Sequence, residues 1–258
     1  MTSLTKHLKS LNCLSFQAAA RHDFPTQAKL STLSEAELMA WLYQDLGYAK
    51  SYDLFIGTLL VKTQSVVDEA ATESLQARFR DCLQYASSNI KREIAMFESI
   101  LDRGESIEIS ESQKLAVQKY DDLFSQAGSG DKSLLYGLVV LWTTEVYYME
   151  AWVPTELPGD IEPTKSTQVM EDVSGSFSVR EALQMLKLNW TSIDFQDFVS
   201  LIEHLVDEVH ALTHSTEGEV NSLEEACGMV LQLEDQFWPS LERTRMIEPF
   251  SSKRGHSV

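Results

Sequence analysis

Cysteine is scarce in this sequence, and its three examples lie far apart. Cys13, Cys82 and Cys227 form no CxxC pair and are odd in number, which excludes a disulfide framework and a zinc knuckle. A reducing, intracellular compartment fits such a chain, and the cytoplasm is the expected location. Basic residues are also in short supply: Lys+Arg 21 stand against Asp+Glu 39, a formal net charge of -18. That balance disfavours nucleic acid and anionic membrane as partners and favours solubility. Long apolar runs are missing too. Met1 to Phe24 holds none long enough for a signal sequence, and no segment approaches the ~18 apolar residues of a membrane span. No convincing strand pattern and no internal repeat occurs.

What remains is the composition of an ordinary globular protein: 258 residues, 43% hydrophobic and 23% charged, with room for a sizeable core. Residues 1–33 read as an N-terminal extension with a short amphipathic piece from Leu4 to Phe16, and His22-Asp23-Phe24-Pro25 is expected to break any helix there. Ser34 with Glu37 three residues on predicts a capping box and the start of a helix running to about Val67, with Gly47 and Gly57 as places for a bend or a close approach. Three- and four-residue apolar steps predict further helices over 69–102 and 112–126, and Gly128-Ser129-Gly130 reads as a turn before Asp131 caps the next. Leu134 to Val153 is apolar on nearly every side, the pattern of a central buried helix, and Pro154 is expected to stop it. The composition of 155–178 predicts a long mobile loop. Helices over 179–188 and 195–213 follow, joined by a turn at Asn189 to Ser192. A last helix is expected over 222–246, kinked by Pro239, before a disordered tail at 248–258. The sum is an all-α bundle, with its main domain at 34–247.

Three carboxylates stand out on helical wheels. At ~100° per residue, Leu38, Trp41, Leu42, Tyr48, Ala49, Tyr52, Ile56 and Leu59 fall within about 60° of Asp45, so a carboxylate sits in the middle of an apolar, aromatic stripe. Glu234 is placed in the same way among Cys227, Val230, Leu231, Phe237, Trp238 and Leu241. Glu145 lies among Leu138, Leu141, Trp142, Tyr148, Met149 and Trp152 on a helix that is apolar all round. An inward carboxylate is costly unless it is paired, hydrogen-bonded or facing a polar cavity. Each one singly fits a core carboxylate satisfied locally; three on separate helices predict one shared internal cavity. Carboxyl groups brought together there raise one another's pKa, which suits general acid and base roles near neutral pH. Tyr48, Tyr120, Tyr147 and Tyr148 offer hydroxyls and flat faces to an aromatic ligand, or are simply core.

Trp41-Leu42-x-Gln44-Asp45-x-x-Tyr48 and Glu234-x-x-Phe237-Trp238 resemble the two signature stretches of the TENA/THI-4 (thiaminase II) family, whose fold is the haem-oxygenase-like helical bundle. Trp142 to Trp152 and Asn189-Trp190-Thr191 are also similar to members of that family, especially fungal ones, and the likeness spans roughly residues 34 to 247. The resemblance implies that Asp45 binds an aminopyrimidine and that Glu234 serves as acid and base. The family's cysteine nucleophile falls near Thr143 to Glu145, most closely at Thr144, and no cysteine is there. The resemblance therefore points to members that work without that cysteine, apparently through a glutamate, with Glu145 as the residue to test. Whether Thr144 or Glu145 faces the cavity stays open at this level. The expected catalytic residues are Glu234 and Glu145; the expected substrate-binding residues are Asp45, Tyr48, Tyr120, Thr144 and Tyr148, with no cofactor. The implied activity is hydrolysis of an aminopyrimidine or related heterocycle. The alternatives are a relative recruited to another substrate, a non-catalytic ligand-binding protein, and a carboxylate/histidine metal oxidase of the same fold. A small-molecule ligand is the expected partner, and a homo-oligomer is compatible with this reading. The metal reading would rest on Glu203-x-x-x-Asp207-x-x-His210, but these residues lie ~80° to ~140° from the apolar stripe of their helix, so no metal is expected.

Overall fold

Serine and threonine set where the helices begin. In the computed structural model, which describes residues 3–19, 21–66, 73–102, 107–153 and 178–241, the described residues form ten helices and no strand. They are α1 (Leu4–Leu11), α2 (Cys13–Ala19), α3 (Asp23–Lys29), α4 (Glu35–Val66), α5 (Glu73–Leu101), α6 (Glu111–Gly128), α7 (Leu134–Trp152), α8 (Val179–Thr191), α9 (Ile193–Thr213) and α10 (Glu217–Phe237). At the head of α4 the Ser34 amide donates to Glu37 Oε2 at 2.8 Å, and the Glu37 amide donates back to Ser34 Oγ at 3.3 Å, closing the expected capping box. Ser110 with Gln113, Ser178 with Glu181 and Thr216 with Glu219 repeat the device on α6, α8 and α10.

α7 is the axle of the bundle. Nearly all of its residues are buried, and α10, α9, α4, α6, α8, α2 and α3 all pack against it. α4 lies between α5 and α6. Glycines let the neighbours close in. A Cβ on Gly47 would stand 3.0 Å from the Val117 side chain on α6, and one on Gly137 would stand 2.4 Å from Leu59 at the crossing of α4 and α7. Gly57 meets nothing within 4 Å, so it serves no close approach.

Several sequence expectations need correction. The first residues do form helices that belong to the core: Leu4, Leu8, Phe16, Ala19, Phe24 and Ala28 are buried, and Lys29 Nζ reaches the Ala151 carbonyl at 2.9 Å near the end of α7. Pro25 does not break α3, because it sits in the first turn, where its missing N–H has no intrahelical partner to lose. Ser133, not Asp131, caps α7 through the Tyr136 amide at 3.1 Å. α8 runs through Asn189 and Trp190, and the chain breaks only at Ser192, which caps α9. α10 starts at Glu217 rather than 222. It ends at Phe237 instead of running on with a kink, because Pro239 disfavours the helical conformation for Trp238, which is extended at ψ 128. Val153, just before Pro154, ends α7 in the same way. The 155–177 loop and the 248–258 tail lie outside the described residues.

Asp207 on α9 has a structural task. It accepts from the Thr5 amide at 2.9 Å and the Thr5 hydroxyl at 2.8 Å, and so caps α1 from across the bundle. Asp207→Ala removes both bonds and is expected to lower stability by ~1 to ~2 kcal/mol. Amide exchange over residues 4–11 should accelerate; protection there equal to the wild type would show that α1 is held without Asp207.

Candidate active site

The stripe that carries Asp45 is buried along its whole length, and Asp45 goes inward with it at 2% exposure. Across the helix crossing, the Tyr148 hydroxyl of α7 donates to Asp45 Oδ1 at 2.9 Å. The exchange is reciprocal, since Tyr52 on α4 donates to Glu145 Oε1 on α7. Gln44, beside Asp45, donates through Nε2 to the Phe237 carbonyl at 2.8 Å and ties α4 to the end of α10. On α10 Glu234 is fully buried, with the Tyr120 hydroxyl of α6 donating to its Oε1 and no hydrogen-bond partner for Oε2 among the described residues.

A fourth carboxyl group joins them. Glu93 on α5 is 5% exposed, and its Oε1 accepts from Asn89 Nδ2 at 2.8 Å and from Asn189 Nδ2 at 2.6 Å. Arg92 Nη2 in turn donates to Asn89 Oδ1 at 2.9 Å. The wheel test that singles out Asp45 would also have found Glu93, which stands three residues after Ile90 and four before Phe97 on the buried face of α5.

Asp45, Glu93 and Glu145 line one internal cavity of about 20 Å³, with Tyr48, Tyr52, Tyr148 and Trp190 among its walls. That space suits a water-sized guest, so a ring-sized ligand has to displace side chains. Glu145, not Thr144, faces the cavity: the Thr144 hydroxyl is turned back onto the Val140 carbonyl at 3.0 Å. Glu234 and Tyr120 do not line it. They stand one layer behind Tyr48, whose ring meets that of Tyr120 edge-on at 4.9 Å.

Burial dominates the protonation of all four acids. It holds Asp45 well above the usual carboxylate range, with the Tyr148 hydrogen bond opposing and the Glu93 charge adding to the effect. Glu145 is pushed up to about 8, again by burial first, then opposed by Tyr52 and reinforced by Glu93. Glu93 is pushed up to about 7, its rise limited by the donors of Asn189, Asn89 and Trp190 and by Arg92. Glu234 is raised well above its ordinary value by burial, against the Tyr120 hydrogen bond and with the charges of Asp45 and Glu145. The cysteines offer no thiolate here. Burial pushes Cys82 up to about 12 and Cys227 to about 11, while Cys13 is exposed. Among the described residues no group of three or more His, Cys, Asp or Glu side chains is placed to hold a metal ion. Asp207, central to the metal alternative, is engaged with Thr5.

No family model matches the sequence. A protein of Fusarium pseudograminearum (strain CS3096) described as a probable transcription factor is 26% identical over 98% of this chain, which spans 55% of that relative, about half its length. Among solved structures, a TenA homologue from Pyrococcus furiosus superposes with a TM-score of 0.63 at 22% identity, covering 91% of this chain and 98% of that one. A TenA family transcription regulator from Silicibacter sp. TM1040 gives 0.63 at 15% identity, covering 91% and 94%. A TenA homologue from Pseudomonas syringae pv. tomato str. DC3000 gives 0.63 at 12%, covering 91% and 90%. This chain has the helical-bundle fold of the TenA homologues.

Proposed function

We propose that this chain is a TenA-type small-molecule enzyme, resembling thiaminase II, that hydrolyses an aminopyrimidine or related heterocycle by carboxylate acid and base chemistry. The observation that carries the reading is the convergence of Asp45, Glu93 and Glu145 on one tyrosine-walled cavity, with Glu145 and Glu93 raised to about 8 and about 7. Two acids that titrate near neutrality on one cavity can hold and return a proton during cleavage of a C–N bond by water. In this reading Asp45 grips the donor edge of the heterocycle, and Glu145 protonates the departing nitrogen. Tyr48 partitions the cavity from Glu234, so a ligand that displaces the Tyr48 ring gains access to the Tyr120–Glu234 pair as a second proton store. No thiol takes part, because Cys82 and Cys227 keep their protons.

The descriptions of two relatives as transcription proteins suggest another role. A net charge of -18 weighs against a phosphate backbone as partner for this region. No helix among the described residues is long and apolar enough to cross a membrane, and three free cysteines suit the cytoplasm. A non-catalytic binding protein is the second reading, favoured by the Thr144 side chain at the nucleophile position and its hydroxyl tied to Val140. Release of the amine from aminopyrimidines by purified protein separates the two; its absence across a substrate panel rejects the enzyme.

Glu234→Gln keeps shape and cannot exchange a proton, so turnover is expected to fall by ~10²- to ~10⁴-fold with ligand affinity little changed. An unchanged rate, with a thermal midpoint level or higher, would make Glu234 a core carboxyl only. Replacing Cys13, Cys82 and Cys227 together by Ser should leave turnover within a few fold; loss of turnover in a folded variant would place a cysteine in the reaction. Stability itself should depend on pH. Glu93 and Glu145 have native pKa values raised from 4.5 to about 7 and about 8, so between those limits the native state binds more protons than the unfolded one. Their contribution to stability therefore declines as pH rises through that window. Thermal midpoints recorded across it should fall more steeply for the wild type than for Glu145→Gln, and parallel profiles would contradict the raised value.

A further inference from the structure

Glu93 is the acid at the cavity wall that its surroundings best equip to carry negative charge. Asn89 and Asn189 both donate to Oε1. These donors come from α5 and α8, so turning the Glu93 side chain would break bonds to two helices at once. Arg92 orients the Asn89 amide from behind. Asp45, Glu145 and Glu234 each receive a single phenol instead. Two amide donors on one carboxylate favour its ionised form more than a single phenol does. Four lone-pair sites on the group leave capacity for a further donor from the cavity.

A second observation points to a guest in the same place. Tyr48 is 7% exposed and stands at the cavity wall, yet its hydroxyl makes no hydrogen bond among the described residues. No basic side chain lines the cavity there either. A carboxylate held in one orientation, a phenol at the cavity wall and the aromatic rings of Tyr148 and Trp190 are the surroundings that an organic cation finds favourable.

We propose that Glu93, clamped by Asn89 and Asn189, is a ligand-binding carboxylate that makes this cavity select a ligand carrying a protonated amine or amidinium over its neutral isostere. The cation's N–H groups donate to the remaining lone pairs of Glu93 and to the Tyr48 oxygen, and its charge offsets that of the buried anion. The inference rests on the reading of this cavity as the ligand site, but not on any turnover there.

The probes are benzylammonium against benzyl alcohol and ethylammonium against ethanol, titrated calorimetrically at neutral pH into the full chain. The wild type should bind at least one amine ~10- to ~100-fold more tightly than its alcohol. Glu93→Gln keeps an oxygen to accept from both amides and should lose that preference; Asn189→Ala should reduce it. Equal affinity for amine and alcohol, binding of neither, or a preference retained in Glu93→Gln overturns the proposal. Should Glu93→Gln fail to fold, the wild-type discrimination and its reduction in Asn189→Ala decide. A chain that prefers amines but turns over no aminopyrimidine keeps this inference and loses the hydrolase reading. Turnover without charge preference does the reverse.

Discussion

Four carboxyl groups sit in the interior of this bundle, and no ammonium or guanidinium pairs with any of them directly among the described residues. Each has to be satisfied by neutral donors or by a proton of its own, since an isolated buried charge is far too costly. That constraint shapes the helix crossings. Tyr148 answers Asp45 and Tyr52 answers Glu145 across the same contact of α4 with α7. Tyr120 links α6 to α10 through Glu234, and Asn189 links α8 to α5 through Glu93. Because the donor lies on a different helix from the acid, or from two helices for Glu93, the polar groups also fix how the helices lie on one another. Apolar packing, as around Trp41, stacked on Trp238 at 5.9 Å and edge-on to Trp190 at 6.0 Å, supplies the bulk of the burial but specifies register less sharply.

The helices that follow from periodicity and caps were largely legible in the sequence: α4 from its capping box, α7 from its unbroken apolarity, and the ends of α7 and α10 from the prolines that follow, once those are taken as stops. What was not legible depends on tertiary contact. Leu4 and Leu8 lie on α1, which packs against α9, and Phe24 rests on Trp41 and Trp238 from two distant stretches, and a local pattern carries no trace of that. The Thr216–Glu219 box that opens α10 lies ahead of the apolar residues that begin at Leu223, so the expected start fell short of the real one. At the site, a wheel gives direction but not depth. It turned Asp45 and Glu234 inward correctly, yet Glu234 stands behind Tyr48 rather than on the cavity wall. Thr144 and Glu145 are adjacent on a helix buried all round, so only the back-bonding of the threonine to Val140 separates their roles.

Likeness of fold carries no chemistry by itself, because one scaffold hosts many reactions. What individualises this chain is local: a threonine whose hydroxyl is engaged by its own helix, and a glutamate beside it that opens onto the cavity. The neighbouring acids differ in how many donors they receive, while burial raises the proton affinity of all of them.

The contact of Thr5 with Asp207 joins positions 202 residues apart, and α2 and α3 likewise rest on α7, α8 and α10. During synthesis α1 therefore emerges long before the surfaces that receive it. Phe24 and Phe16 meet Trp41 and Trp142 as α4 and α7 are made, but α1 gains its cover on α9 only when that helix has left the ribosome, so this edge of the bundle closes late.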